Sequence, residues 1–216
     1  AHPRAIQRIS EERLGDNPDY VREDRPFALD TAKHLSIRRR HLRWMALPDR
    51  WVSWIFGAIP RGLQMIRQEK PKVIWSTYPI ATAHLIGWML HRLSKLPWIA
   101  DFRDPMVEYD QRTDQCAPAN PTLRRARLWI ERLCARNAAY TVFCTPGARK
   151  IFVERYPDFP ADRAIVISNG FDDASFAELD TTAEEKKRPP NAPLPLLHSG
   201  VLYPGPDRDP LTFLTA

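Results

Sequence analysis

The chain has 216 residues, 44% of them apolar and 27% charged, a balance that supports a packed core and does not suit a disordered chain. With 21 prolines against 8 glycines, collagen-like and Gly-rich linker readings are excluded, as are nucleotide fingerprints built on clustered glycine, since no G-x-G and no G-x-x-x-x-G-K-[ST] occurs. The formal net charge of +6 is uneven, because residues 1–71 hold 14 Lys/Arg against 9 Asp/Glu, an excess that favours an anionic partner.

The longest apolar run, 80–90, is broken by Thr82 and His84 and falls short of the about 20 residues that a membrane span needs. Residues 1–13 are mixed in charge, lack an apolar core and do not read as a signal peptide. Cys116, Cys134 and Cys144 are odd in number and widely spaced, with no C-x-x-C. That reads as reduced thiols in a cytosolic protein, not as a zinc ribbon or a disulfide framework.

In chain order, residues 20–29 have room for one strand. Residues 51–68 repeat Trp51, Trp54, Ile55, Ala58, Ile59, Leu63 and Ile66 at helical period, with Pro60 expected to kink the helix or split it in two. From residue 72 the pattern alternates. Short β-branched or aromatic runs at 72–76, 97–102, 140–144 and 164–168 read as buried strands. Between them, 80–94 carries a core-facing stripe of Ala83, Ile86, Leu90 and Leu93. Residues 122–139 carry Leu123, Ala126, Ile130, Leu133 and Cys134 inward, with Arg124, Arg125, Arg127, Glu131, Arg132 and Arg136 largely outside, and 147–156 forms a shorter helix. This is the rhythm of right-handed βαβ crossovers and a parallel α/β sheet.

Residues 178–193 are polar, charged and Pro-rich, a linker by composition, and 194–200 is another buried-strand pattern. Only 23 residues follow Pro193, too few to bury a core. The expected organisation is therefore a domain over 1–179, a linker over 180–193, and the start of a truncated second domain over 194–216.

Ligands of open α/β sheets bind beyond the carboxyl ends of the strands. Those ends read Ser76-Thr77-Tyr78, Asp101-Phe102-Arg103-Asp104, Thr145-Pro146-Gly147, Ser168-Asn169-Gly170 and His198-Ser199-Gly200. Asp101, Arg103 and Asp104 either clamp a loop as an Arg between two carboxylates, or orient and deprotonate a hydroxyl. Asn169-Gly170 reads first as a turn with positive φ, and otherwise as a ligand contact. Gly200 would let main-chain amides approach a phosphate; Arg208 either meets the same anion or is a solvated loop residue. His34 and His41, like His84 and His91, are seven apart, ~10 Å along a helix and too far to share an ion. No metal site is expected.

With W-S-T-Y-P-I-A-T-A-H at 75–84, P-W-I-A-D-F-R-D-P at 97–105, S-N-G-F-D at 168–172, H-S-G-V-L-Y at 198–203 and R-D-P at 208–210, the chain resembles the family 4 glycosyltransferases, with nearest likeness to those of bacterial exopolysaccharide or lipopolysaccharide assembly. The resemblance implies a two-domain GT-B architecture of facing Rossmann-like halves. The N-terminal half takes a lipid-linked or saccharide acceptor and the C-terminal half a nucleotide-sugar donor, usually with retention and without a required metal or other cofactor. It implies catalytic or acceptor-side roles for Asp101, Arg103 and Asp104, cleft-lining roles for Ser76, Thr77, Tyr78, Asn169 and Gly170, and donor binding at Gly200 and Arg208. Family members open with a strand and a Gly-rich loop and carry a Glu-rich donor motif, none of which is present, so the chain is expected to be an inactive fragment of a cytoplasmic enzyme. Two other readings stand beside it: a nucleotide-sugar epimerase of the same architecture, and an anion- or nucleic-acid-binding module on Arg38-Arg39-Arg40-His41-Leu42-Arg43-Trp44. The same arginines with Arg50, beside Trp44, Trp51 and Trp54, suit peripheral contact with the inner face of an anionic membrane, unless the tryptophans belong to the core.

Overall fold

The computed structural model describes residues 26–28, 30, 46–110 and 114–170. The chain divides into two units, Ala1–Asn169 and Gly170–Ala216, and the helices and strands that follow belong to the first. The expected strand at 20–29 (Phe27 and two neighbours apart), the linker at 180–193, the second-domain start at 194–216 with Gly200 and Arg208, and the basic run from Arg38 to Trp44 lie outside the described residues.

Helix α1 (Trp54–Glu69) leads into β1 (Ile74–Thr77), α2 (Ala81–Ser94) and β2 (Trp98–Arg103); a hairpin of β3 (Glu108–Asp110) and β4 (Gln115–Ala117) follows, then α3 (Pro121–Asn137), β5 (Tyr140–Phe143), α4 (Pro146–Arg155), a 3₁₀ turn (Ala161–Arg163) and β6 (Ala164–Val166). The main sheet is parallel, in the sequential order β1-β2-β5-β6. Consecutive crossovers of one hand in one direction place their helices on one face. Accordingly, α2, α3 and α4 cover the face that carries Ile74, Trp98, Ala100, Phe102 and Phe143. Phe152 of α4 closes this core against Phe102 and Phe143, with ring centroids 5.1 and 5.2 Å apart, the tilted spacing that aromatic pairs favour. On the opposite face Trp75 is 50% and Tyr140 44% exposed.

The sequence explains where these elements start. Asn120 Oδ1 accepts from the amides of Thr122 and Leu123, with Pro121 in the first turn of α3. Thr145 Oγ1 accepts from Ala148 ahead of Pro146 in α4. Both pair a capping side chain with a proline whose missing N–H costs nothing there. Helix α2 is capped across the fold: Asp49 Oδ2 accepts from the Thr82 amide at 2.8 Å and Oδ1 from the Thr82 hydroxyl at 2.9 Å, so a carboxylate meets the positive helix terminus.

Several expectations need correcting. Helix α1 runs through Pro60 as one element and is not split in two there. The strand expected to reach Ser168 stops at Val166. Leu93 is 59% exposed, whereas Thr82, His84 and Leu85 are buried. The reason is that α2 packs against the sheet and against both α1 and α3, so it is enclosed on more than one side. Glu131, read as outward, is 1% exposed. Arg155 Nη1 meets its Oε2 at 2.6 Å, and the Tyr156 hydroxyl donates to the same oxygen at 3.1 Å. A buried carboxylate is tolerated when it is paired and hydrogen-bonded in this way. Burial still pushes the Glu131 carboxyl up, against the pull of Arg155.

Candidate functional site

The carboxyl ends of the described strands finish at one level. Main-chain bonds from Tyr78 N to Asp101 O (2.9 Å), Cys144 N to Arg103 O (3.1 Å) and Ile167 N to Phe143 O (2.9 Å) carry the ladder just past each strand. At β2 the ladder bulges: Asp101 faces Val142 and Arg103 faces Phe143, leaving Phe102 as the extra residue. Arg103 has φ 53°, and the Asp104 amide turns back to Phe102 O. A three-residue turn with positive φ at an arginine is strained, and such strain gathers at working sites. The turn at Arg103, the last residue of β2, carries Asp104 out of the strand, and both residues are exposed.

A cleft of about 350 Å³ lies beside β1, within the range of small-ligand sites, and is lined by Ser76, Thr77, Tyr78 and Arg103 together with Trp54 and Trp75. The structure thus brings the expected residues of β1 together with Arg103. Their hydroxyls differ in availability. Trp98 Nε1 donates to Ser76 Oγ at 2.8 Å, and the same hydroxyl is bonded to His84 Nδ1 at 2.7 Å. Ser76 is therefore spent inward. His84 is wholly enclosed; burial lowers its pKa from 6.5 to about 3, so it stays neutral. Its Nε2 has no partner among the described residues. Thr77 Oγ1 accepts from Trp75 Nε1 at 3.1 Å and keeps its own hydrogen to donate.

Asp101 and Asp104 do not clamp Arg103. Among the described residues no ion pair joins that guanidinium to either carboxylate. Asp101 Oδ1 instead accepts from the Arg103 amide at 3.3 Å, steadying the turn. Asp104 makes itself felt at Tyr78: burial is the main force raising the Tyr78 hydroxyl pKa, Arg127 opposes it, and Asp104 adds to it. Arg127, which periodicity placed on the outside of α3, lies 6.0 Å from the Tyr78 ring centre and bonds Met106 O at 3.4 Å. A cation over an aromatic face at this range is attractive. Nothing in the α3 pattern signals it, because its partners come from β1 and the loop after β2.

Asn169 does not line this cleft. The Cys144 thiol donates to Asn169 Oδ1 at 3.3 Å, and among the described residues no atom lies within 4 Å of a Cβ built on Gly170. Neither residue takes the left-handed φ expected of the turn; the Asn169 side chain reaches across to Cys144, just past β5. Among the described residues no group of three or more His, Cys, Asp or Glu could hold a metal ion, and no helix is long and apolar enough to cross a membrane.

With a one-way parallel sheet and its polar residues at the carboxyl ends of β1 and β2, comparison with known families is decisive. Residues 15–170 match the glycosyl transferase 4-like domain. The chain belongs to that family. Its α/β fold, a parallel sheet with flanking helices, is the one expected from the sequence. No curated protein matches the chain. Among solved structures, crystal structures of the Anabaena protein HepE with UDP, with UDP and glucose, and with UDP-glucose match at 16%, 17% and 16% identity and TM-scores of 0.39, 0.36 and 0.38. The matches cover 53%, 52% and 56% of this chain and 27% of each HepE chain.

Proposed function

We propose that this member of the glycosyl transferase 4-like family forms the acceptor side of an enzyme that moves a sugar from a nucleotide-sugar donor to a lipid-linked or saccharide acceptor. The observation that carries the reading is the juxtaposition at the ends of β1 and β2: a cleft walled by Trp54 and Trp75, with Thr77, Tyr78 and Arg103 in its lining, and the Asp104 carboxylate near enough to bear on Tyr78. Sugar rings offer an apolar C–H face and a rim of hydroxyls, which flat indoles and a few convergent polar groups suit. In this reading Asp104 orients the acceptor hydroxyl and takes its proton. Asp101, already bonded to the Arg103 amide, positions the turn. Residues 1–179 would be the acceptor-side domain, 180–193 the linker, and 194–216 the start of the donor-binding domain, where Gly200 and Arg208 meet the donor diphosphate. The basic N-terminal third suits peripheral contact with an anionic membrane beside such an acceptor.

The test is sugar transfer by the protein that carries this chain, assayed against UDP-, GDP- and dTDP-sugars. D104N is expected to lower kcat at least tenfold, about 1.4 kcal/mol, with little change in KM for the donor; D101N should cost less. A D104N enzyme with parental kcat and parental stability removes Asp104 from the chemistry.

A further inference from the structure

A second concavity, of about 450 Å³, lies at the edge of the sheet where the strands begin, opposite the candidate site. It is walled by the last turns of α3 and α4, the loop after α4, and the 3₁₀ turn before β6. Its lining includes four arginines, Arg132, Arg136, Arg155 and Arg163, and one acid, Asp158. Arg155 is committed to Glu131 and to Val107 O. Among the described residues, the guanidiniums of Arg132, Arg136 and Arg163 have no hydrogen-bond or ion-pair partner. Arg136 and Arg155 stand in the last turns of their helices, where a cation compensates the helix dipole. That account does not extend to Arg132, one turn earlier and four residues from Arg136 on the same helix face, where like charges repel. Nor does it extend to Arg163. The backbone around Arg163 is pinned by Arg149, which donates to Ala161 O at 2.8 Å and Ala164 O at 2.7 Å. Three arginines whose guanidiniums are unpartnered among the described residues thus line one hollow, against a single carboxylate. Guanidinium forks match phosphate oxygens in pairs, and the hollow is of small-ligand size.

We propose that this concavity is a separate anion site that takes the phosphate or diphosphate group of a small ester. The site stands apart from the cleft beside β1 and does not rest on the transferase reading. Inorganic pyrophosphate is the probe, titrated calorimetrically into the full chain at low ionic strength, where exposed charges are least screened. R132Q and R163Q are each expected to weaken binding at least tenfold, and R125Q, which removes an exposed arginine of α3 outside the hollow, to leave it unchanged. All three substitutions fall on exposed side chains, and thermal melts confirm that each variant folds. Co-sedimentation with phosphatidylglycerol vesicles distinguishes the source of the phosphate. Vesicle binding that requires Arg132 and Arg163 and is competed by pyrophosphate assigns a lipid headgroup; pyrophosphate binding without vesicle binding assigns a free ester. Failure of the parent chain to bind either probe, or equal weakening by R125Q, overturns the site.

Discussion

Arg155 to Met is the sharpest probe of how the candidate site is held. Arg155 is the hub of a polar knot beneath the loop after β2: its Nη1 meets Glu131 Oε2 at 2.6 Å and its Nη2 donates to Val107 O at 2.8 Å, while the Val107 main chain also bonds the Glu131 carboxylate. Methionine keeps most of the stem and removes the charge, leaving a carboxylate with a 2% exposed side chain held only by neutral donors, the Tyr156 hydroxyl and the Val107 main chain. Stripping one partner from a buried pair costs about 3–5 kcal/mol. The Arg155 side chain is 26% exposed, so water enters in its place and the lower end applies, about 3 kcal/mol. At about 2–4 °C per kcal/mol for a chain of this size, melting should fall by roughly 6–12 °C. The loss should also depend on pH. Burial already holds the Glu131 carboxyl above its ordinary value, and without Arg155 it rises further. The folded state then keeps a proton that the unfolded chain releases, so the R155M defect shrinks as pH falls and is largest above neutrality. E131M/R155M replaces the pair by apolar side chains and should recover at least half of the lost melting temperature. Thermal melts of parent, single and double variants at pH 5 and pH 8, followed by tryptophan fluorescence, read all of this. If R155M melts within 2 °C of the parent at both pH values, or the double variant is no better than the single, the buried-charge argument is wrong.

Gly87 to Ala would place a Cβ 2.5 Å from Trp98 Nε1 and 2.9 Å from Ser76 Oγ, inside a network that has no slack, and should destabilise by about 1–3 kcal/mol in a urea titration. Gly147 to Ala, whose Cβ meets nothing nearer than Thr145 Oγ1 at 4.0 Å, is the neutral control. For His84, the unfolded chain takes up a proton near pH 6.5 that the folded chain refuses until about pH 3. Its contribution to stability therefore falls as pH drops through 6.5, and H84Q should flatten the stability–pH slope between pH 6.5 and 4; an unchanged slope would place the titrating group elsewhere.

The parallel sheet was legible because its strands are buried and hence apolar along short runs, and because Asn120-Pro121 and Thr145-Pro146 announce helix starts in plain residues. The β3–β4 hairpin was not. Its strands are three residues each and read Glu-Tyr-Asp and Gln-Cys-Ala, too short and too polar for an alternation to show. It fills part of the unusually long interval between β2 and β5. Glu131 escaped for a different reason. A charge at an ambiguous helix position reads as surface unless its partner is known, and the partner, Arg155, is 24 residues on.

The site divides along the same line. Thr77, Tyr78 and Arg103 were legible because strand ends are where such sheets bind ligands, but adjacency misled on how Asp101, Arg103 and Asp104 behave. In an extended strand, residues two apart lie ~6.5–7 Å from each other along one face, so an ion pair between neighbours needs a turn to fold them together. The turn that exists, with positive φ at Arg103, directs the Asp101 carboxylate to the Arg103 amide and leaves the Asp104 carboxylate and the guanidinium for something else. The helix termini at this edge point the same way. Asp49 takes the Thr82 amide, Asn120 those of Thr122 and Leu123, and Thr145 that of Ala148, so first-turn amides that could hold a phosphate are bonded within the chain. An anionic group entering this edge must therefore rest chiefly on side-chain cations, Arg103 first and Arg127 behind Tyr78.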